Sequence, residues 1–347
     1  MGGGEIRVNR AALATNLALM RKLAPQAQVA AVVKADAYGL GLAGVLPALD
    51  CNSFFVARLE EGVALRAFNA KARIFILDGA ASDTATALID HNLIPVLGSL
   101  AQIASWQATK GGAAALHVDT GMNRLGLPRH ELSMLAAEKH FAPVLVMSHL
   151  ACSDDADSAM NRTQLSRFRA ALAMLPPAPA SLAASGGVLL GRDYHFDLVR
   201  PGIGLYGGNP HMGAPNPMQT VARLAGRIVQ LRQIAPGETV GYGATFTATR
   251  SMSVATIALG YADGVLRTGS NKAFAMIRDH AAPFVGQVSM DLITLDVTGI
   301  AGVGVGDLAE LFGPGLPLDE AAAVWGTISY ELLTGLSRRI PRLYVDA

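Results

Sequence analysis

The chain has 347 residues, 51% of them hydrophobic and 16% charged, with a formal net charge of +1. That is enough apolar material for a large core and enough length for two domains, the opposite of a disordered composition. No basic tract and no block of like charge is present, so a nucleic-acid partner is not expected.

Two cysteines, Cys51 and Cys152, in so long a chain read as reduced thiols. The opening MGGGEIRVNR has no apolar core of signal-peptide length, and Ile6 breaks the myristoylation pattern. No run reaches the ~18 apolar residues of a membrane span. A cytoplasmic location without a membrane partner is the expectation, and no metal is expected.

Glu5–Val8 reads as a short strand, and Asn9 as the cap of a helix over Arg10–Leu23, where Leu13, Leu17 and Met20 share one face. A rhythm then begins. Strand-like apolar runs stand at Val29–Val33, Ser53–Ala57, Arg73–Leu77, Ile94–Leu97, Ala114–Val118, Pro143–Ser148, Ser181–Ala184 and Phe196–Val199. Helix-like stretches separate most of them, at Arg58–Phe68, Leu100–Thr109, Pro128–Lys139 and Asn161–Leu175. Strands alternating with helices argue for parallel βαβ units, and the count of strands for an α/β fold with a closed (β/α)₈ barrel of the TIM type over residues 9–208. An open doubly wound sheet is the alternative, although no glycine fingerprint of that fold is present. Asn209–Pro217, with three prolines and a glycine, reads as a linker. Beyond it turns multiply, and Leu224–Leu231, Thr239–Tyr242, Ser253–Leu259, Ala273–Ile277 and Leu292–Val297 read as strands of a mostly β domain over residues 217–347, which the strand in residues 1–8 could join.

The most suggestive residues follow the strands of the first domain, where the active sites of (β/α)₈ barrels lie. Lys34 ends the first run, in AAVVKADAYGLG; a lysine there either snorkels to water or is buried for its chemistry. In a partly apolar pocket it loses its proton more readily and can form a Schiff base with an aldehyde. Tyr38 adds a phenol four residues on. After the fifth strand comes HVDTGMNRLG, where Asp119, Thr120 and Gly121 can make a loop and the planar fork of Arg124 suits a carboxylate or phenolate. His149 follows the sixth strand in SHLACSD, Ser185 the seventh in ASGG, and Arg200 the eighth in VRPGIGLYG. A serine hydroxyl with glycine N–H groups near the seventh and eighth strands suits a phosphate.

These segments closely resemble those of the alanine racemases, fold-type III enzymes dependent on pyridoxal 5'-phosphate. The resemblance continues in order through ETVGYGATF, ALGYADG, VGQVSMD and ISYE, so it spans both domains. It implies that Lys34 carries the cofactor and that Lys34 and Tyr242 are the two bases acting on opposite faces of the substrate Cα. It implies cofactor contacts from Tyr38, His149, Ser185, Arg200, Gly202, Ile203 and Tyr330, and substrate contacts from Arg124, Met290 and Tyr261. Arg200 would face the ring nitrogen, and a guanidinium is always a donor, so that nitrogen would stay unprotonated and the ring would be a weaker electron sink. This tuning fits racemisation. An ordinary phenol is a poor base near neutrality, and a chain from Tyr242 through His149 to Arg200 could help it. The family also implies L- and D-alanine as small-molecule substrates, a supply of D-alanine for the bacterial cell wall, and a head-to-tail homodimer whose copies complete each other's sites.

The chain departs from the family's pattern in places. His117 stands where many members have a carbamylated lysine that braces the arginine, so another group must brace Arg124. Leu40, Ala184 and Ser289 replace a usual histidine, asparagine and cysteine. A racemase of serine or another amino acid, a decarboxylase of the same fold type, and a non-catalytic cofactor carrier are the competing readings.

Overall fold

Short apolar runs buried on both faces make parallel sheets, and the first half of the chain does so. The computed structural model describes residues 3–138, 141–211 and 213–346. Ala31–Val32, Ser53–Val56, Arg73–Ile76, Ile94–Leu97, Ala115–His117, Leu145–Met147 and Ala180–Ser181 form a seven-stranded sheet in chain order, each pair parallel. An eighth strand closes the ring. Leu198–Val199 pairs in parallel with Gln28–Val29, and the Ala30 and Val32 N–H groups donate to the carbonyls of Val199 and Pro201. On its other side the Asp197 and Arg200 N–H groups donate to Ala180 and Ala183. The expected barrel is therefore present.

The single run expected at Val29–Val33 is two short strands. Gln28–Val29 answers to the eighth strand and Ala31–Val32 to the second, because strands in a closed barrel are staggered between their two neighbours. The eighth strand starts at Leu198 rather than Phe196, whose φ of 53° ends extended pairing and turns its ring edge-on to Phe168 at 5.1 Å. Asn9 caps the helix Arg10–Leu23, its side chain accepting the Ala12 N–H at 2.9 Å, and Leu13, Leu17 and Met20 are buried. The helix expected over Pro128–Lys139 spans Arg129–Glu138; Lys139 lies outside the described residues. Both cysteines are free thiols, Cys51 buried.

The second half is organised around one long strand, Ala222–Ile234. It pairs antiparallel with Gly4–Asn9, Met252–Ile257 and Leu308–Phe312, changing partners along its length. Gly4–Asn9 also lies parallel to Arg342–Val345, so both ends of the described chain meet in this sheet. The strands His280–Pro283, Leu308–Phe312 and Arg342–Val345 and the helices Leu318–Trp325 and Ser329–Thr334 were not expected from sequence, although Leu318, Ala321, Ala322 and Trp325 share the buried face of the first helix. The Asn209–Pro217 stretch, of which Met212 lies outside the described residues, is pinned rather than loose. His211 is buried with Nε2 3.0 Å from the Gly186 carbonyl, and the Asn209 N–H donates to Asp319 at 2.9 Å.

Candidate active site

At the end of the first strand the chain does something unusual. Ala35, Asp36, Ala37 and Tyr38 all have φ near 55°, so the turn Lys34–Tyr38 is left-handed. That handedness costs an L-residue about 1–2 kcal/mol, so surrounding contacts must hold it. The Ala35 N–H donates to Glu61 at 2.5 Å and the Leu42 N–H to Asp36 at 2.8 Å. The Gly39 carbonyl accepts from Arg342 at 2.9 Å and the Leu40 carbonyl from the Tyr344 hydroxyl at 2.9 Å. Gly39 is itself required, since its φ is 78° and a Cβ would strike the Leu333 carbonyl. Lys34 is half-buried at the head of this turn. Burial first, then the charge of Arg124, lowers its pKa from the ordinary lysine value; Glu61 and Asp78 oppose this.

Tyr38 is buried, its ring stacked on Tyr206 with centroids 4.6 Å apart and tilted against Tyr330 at 6.1 Å. Burial holds the Tyr38 phenol neutral, well above its usual range. Its hydroxyl abuts Gly202, where a Cβ would lie 2.2 Å from the oxygen. Ser185 Oγ accepts the Gly202 and Gly204 N–H groups at 2.9 and 3.1 Å. Both acceptor sites of that hydroxyl are therefore used, leaving its O–H to donate elsewhere. Ile203 opens the short turn Ile203–Tyr206, whose leading N–H groups have no intrahelical acceptor. Tyr330, half-exposed, is held neutral by burial and by Asp154 and Asp319, its pKa pushed up to about 12.

Behind this cradle lies Arg200, 3% exposed. It donates to the Ser181 hydroxyl, to the Ser148 carbonyl at 2.6 Å, and lies 3.4 Å from His149 Nδ1. None of these partners is a carboxylate. Burial pushes its pKa down to about 9, which still leaves it charged at neutral pH. Burial and Arg200 together push His149 down to about 3, and burial, Arg200 and Arg124 push His117 down to about 4. Both imidazoles are thus neutral, fit to accept from a guanidinium or to relay a hydrogen bond. Gln164 ties this wall together, donating to the His149 carbonyl at 2.9 Å and to Thr120 Oγ1 at 3.1 Å. Asp119 shapes the next loop by accepting the Gly121 and Met122 N–H groups at 2.9 Å each, and Arg124 stands exposed beyond it.

The fold thus brings Lys34, Tyr38, His149, Ser185, Arg200, Gly202, Ile203 and Tyr330 to one barrel mouth. It leaves Tyr242, Tyr261 and Met290 elsewhere. Tyr242 is 73% exposed in a tight turn between Gly241 and Gly243, both at positive φ, after a strand that stops at Val240. The Tyr261 and Ala262 N–H groups donate to the Ser289 and Met290 carbonyls at 3.0 Å, which sets these two loops side by side. Within the described residues no hydrogen bond joins Tyr242 to His149, so of the expected chain only the link between His149 and Arg200 is formed. Sequence reasoning missed Glu61, Asp78, Ser148 and Gln164. Glu61 and Asp78 left a trace, each as an acidic residue placed soon after a strand.

Comparison with known proteins agrees with this geometry. The family models for the alanine racemase N-terminal domain and C-terminal domain match residues 8–210 and 221–344. An alanine racemase of Rhodospirillum rubrum is 46% identical, covering 98% of this chain and 95% of the relative. A biosynthetic alanine racemase of Agrobacterium fabrum is 44% identical, covering 99% and 94%. A crystal structure of the Bartonella henselae alanine racemase with covalently bound pyridoxal phosphate has a TM-score of 0.95 at 37% identity, covering 99% of this chain and all of that one.

Proposed function

The chain belongs to the alanine racemase family, and from that premise we propose that it interconverts L-alanine and D-alanine with pyridoxal 5'-phosphate held at the barrel mouth. The observation that carries the proposal is the donor set around one opening. A half-buried lysine with depressed basicity faces a cradle of Ser185, Gly202 and Ile203 too tight for side chains at the glycine, backed by a buried arginine. This set fits the cofactor: an amine for its aldehyde, the Ser185 O–H and the Ile203 N–H for its phosphate, and a permanent donor for its ring nitrogen. When bound, the cofactor supplies an electron-withdrawing ring conjugated to the substrate nitrogen, which acidifies Cα.

The protein's own residues supply the rest. Lys34 would hold the cofactor, and its neutral amine would take or return the Cα proton on one face. Its lowered pKa favours the base form. The Tyr242 Oη serves the opposite face, removing the proton of L-alanine while Lys34 removes that of D-alanine. Arg200 would donate to the ring nitrogen rather than protonate it, which would keep the ring a modest electron sink and suit racemisation. Its position also argues against decarboxylation, which favours an acid there. Tyr38 and Tyr330 crowd the phosphate end, and Arg124, Met290 and Tyr261 receive the carboxylate and narrow its access. Neutral His117 brings no negative charge to Arg124.

Tyr242, Tyr261, Met290 and Leu292 are exposed together on the β domain. Large apolar side chains exposed in one patch favour a partner surface. We place a second copy there, as a head-to-tail homodimer in which Tyr242 and Met290 complete the partner's mouth. Residues 9–208 form the cofactor unit and 217–347, with the first strand, the completing unit. A cytoplasmic enzyme supplying D-alanine for peptidoglycan fits this reading, and no helix among the described residues is long and apolar enough to cross a membrane. The test is exchange at Cα of L-alanine in D₂O with pyridoxal phosphate, followed by chiral analysis. Deuterated D-alanine is expected, and an absence of exchange with a correctly loaded protein would refute the activity.

A further inference from the structure

The left-handed turn Lys34–Tyr38 must be fixed from outside, because nothing in four consecutive L-residues favours φ near 55°. Its far end is fastened by Arg342 and Tyr344, and its middle by Asp36. Its start, the peptide that directly follows Lys34, is fastened by Glu61 alone among these groups. One carboxylate oxygen accepts the Ala35 N–H at 2.5 Å. The other accepts the Ala57 and Arg58 N–H groups at 2.7 and 3.1 Å, at the exit of the second strand. The carboxylate therefore ties the exits of two adjacent barrel strands together at the point where the lysine leaves the backbone.

We propose that Glu61 is a positioning residue for Lys34, fixing the handedness of the turn that carries the lysine and so the direction of its side chain at the mouth. The proposal rests on Lys34 being the amine that holds the cofactor. Glu61 also acts on Lys34 through charge. The charged and titratable groups that face the amine are Arg124, which lowers its basicity, Glu61 and Asp78, which raise it, and the neutral His149 ring. One side chain thus sets both where the amine stands and how readily it is protonated, whereas Arg342 and Tyr344 only hold carbonyls.

The experiment uses the full chain freed of cofactor. Acetic anhydride competes for Lys34 across a pH series, and mass spectrometry of the Lys34 peptide gives the midpoint of labelling. A second reading is the pyridoxal phosphate concentration that half-saturates the absorbance of the bound form. Glu61→Gln keeps one carbonyl acceptor and removes the charge, so the labelling midpoint should fall by about one pH unit. Glu61→Asp keeps the charge but draws the oxygen back from Ala35, so the midpoint should hold while cofactor capture weakens by about tenfold. If both variants fold and neither the midpoint nor the capture changes, the proposal is overturned. A lowered melting temperature with both readings unchanged overturns it too, since that would make Glu61 only a fold contact. Lys34→Ala serves as the separate control. Undiminished absorbance of the bound form in that variant would reject Lys34 as the cofactor amine, whereas the labelling midpoint is read without cofactor.

Discussion

The barrel mouth and the exposed loops of the β domain carry the same class of residue to opposite ends. At the mouth, Tyr38, Arg200 and Ser185 are buried, Arg200 donating to the Ser148 carbonyl and Ser185 accepting two backbone N–H groups. On the β domain, Tyr242 and Met290 are 73% and 53% exposed, on loops whose contacts are mostly backbone to backbone. In the first region buried polar groups find partners within the chain, while the second leaves large side chains open to solvent. A buried polar group must be satisfied locally, whereas water can satisfy an exposed tyrosine.

The largest expected effect tests that division directly. Lys34→Ala should abolish racemisation, and Tyr242→Phe should slow the L-to-D direction by about 10²-fold or more while cofactor stays bound. If the two regions belong to one site shared between copies, mixing the two inactive variants and allowing subunits to exchange should restore about a quarter of wild-type activity. Half the dimers are then mixed, and each has one intact site. No recovery in demonstrably mixed dimers would place each site within a single chain.

A smaller effect sharpens the contrast in stability. Arg200 is a buried charge without a carboxylate, so the mouth holds it at a cost to the fold. Arg200→Met should abolish turnover yet raise the unfolding free energy of the cofactor-free chain by on the order of 1 kcal/mol, measured by urea denaturation. A loss of several kcal/mol would mean that its bonds to Ser148 and Ser181 outweigh the burial. Tyr242→Phe, on the open face, should leave that stability unchanged.

The smallest effect is in acid. His149 and His117 titrate near 3 and 4 when folded and near 6.5 when unfolded, so the unfolded chain binds protons first as pH falls. The stability they contribute is complete above pH 6.5 and is lost progressively down to their folded values. Each adds a slope of at most about 1.4 kcal/mol per pH unit. Denaturation of wild-type and His149→Gln protein between pH 7 and 5 checks this, since the variant's curve should be flatter. Equal slopes would show that His149 is not held neutral.

Much of this was legible in the chain. Alternating apolar runs and helical stretches argued for a parallel sheet, since a β-branched run buried on both faces has few other homes, and the count of strands favoured a barrel over an open sheet. The positions of Lys34, His149, Ser185 and Arg200 just after strands foretold a common mouth, because in a barrel strand order fixes which ends converge. The β domain was less readable: His280–Pro283 and Arg342–Val345 are strands through pairing, not through any pattern of their own. Sequence also held no sign that four residues after Lys34 would turn left-handed, or that Glu61 would hold the first of them, Ala35, from 26 residues away. Local preference argues against that turn, and only contacts distant in sequence offset its cost. The sequence alone therefore determined which groups gather at the mouth, through periodicity and order. Tertiary structure alone decided the direction of the lysine and the separation of Tyr242 from the mouth, because both depend on contacts between segments that local sequence does not record.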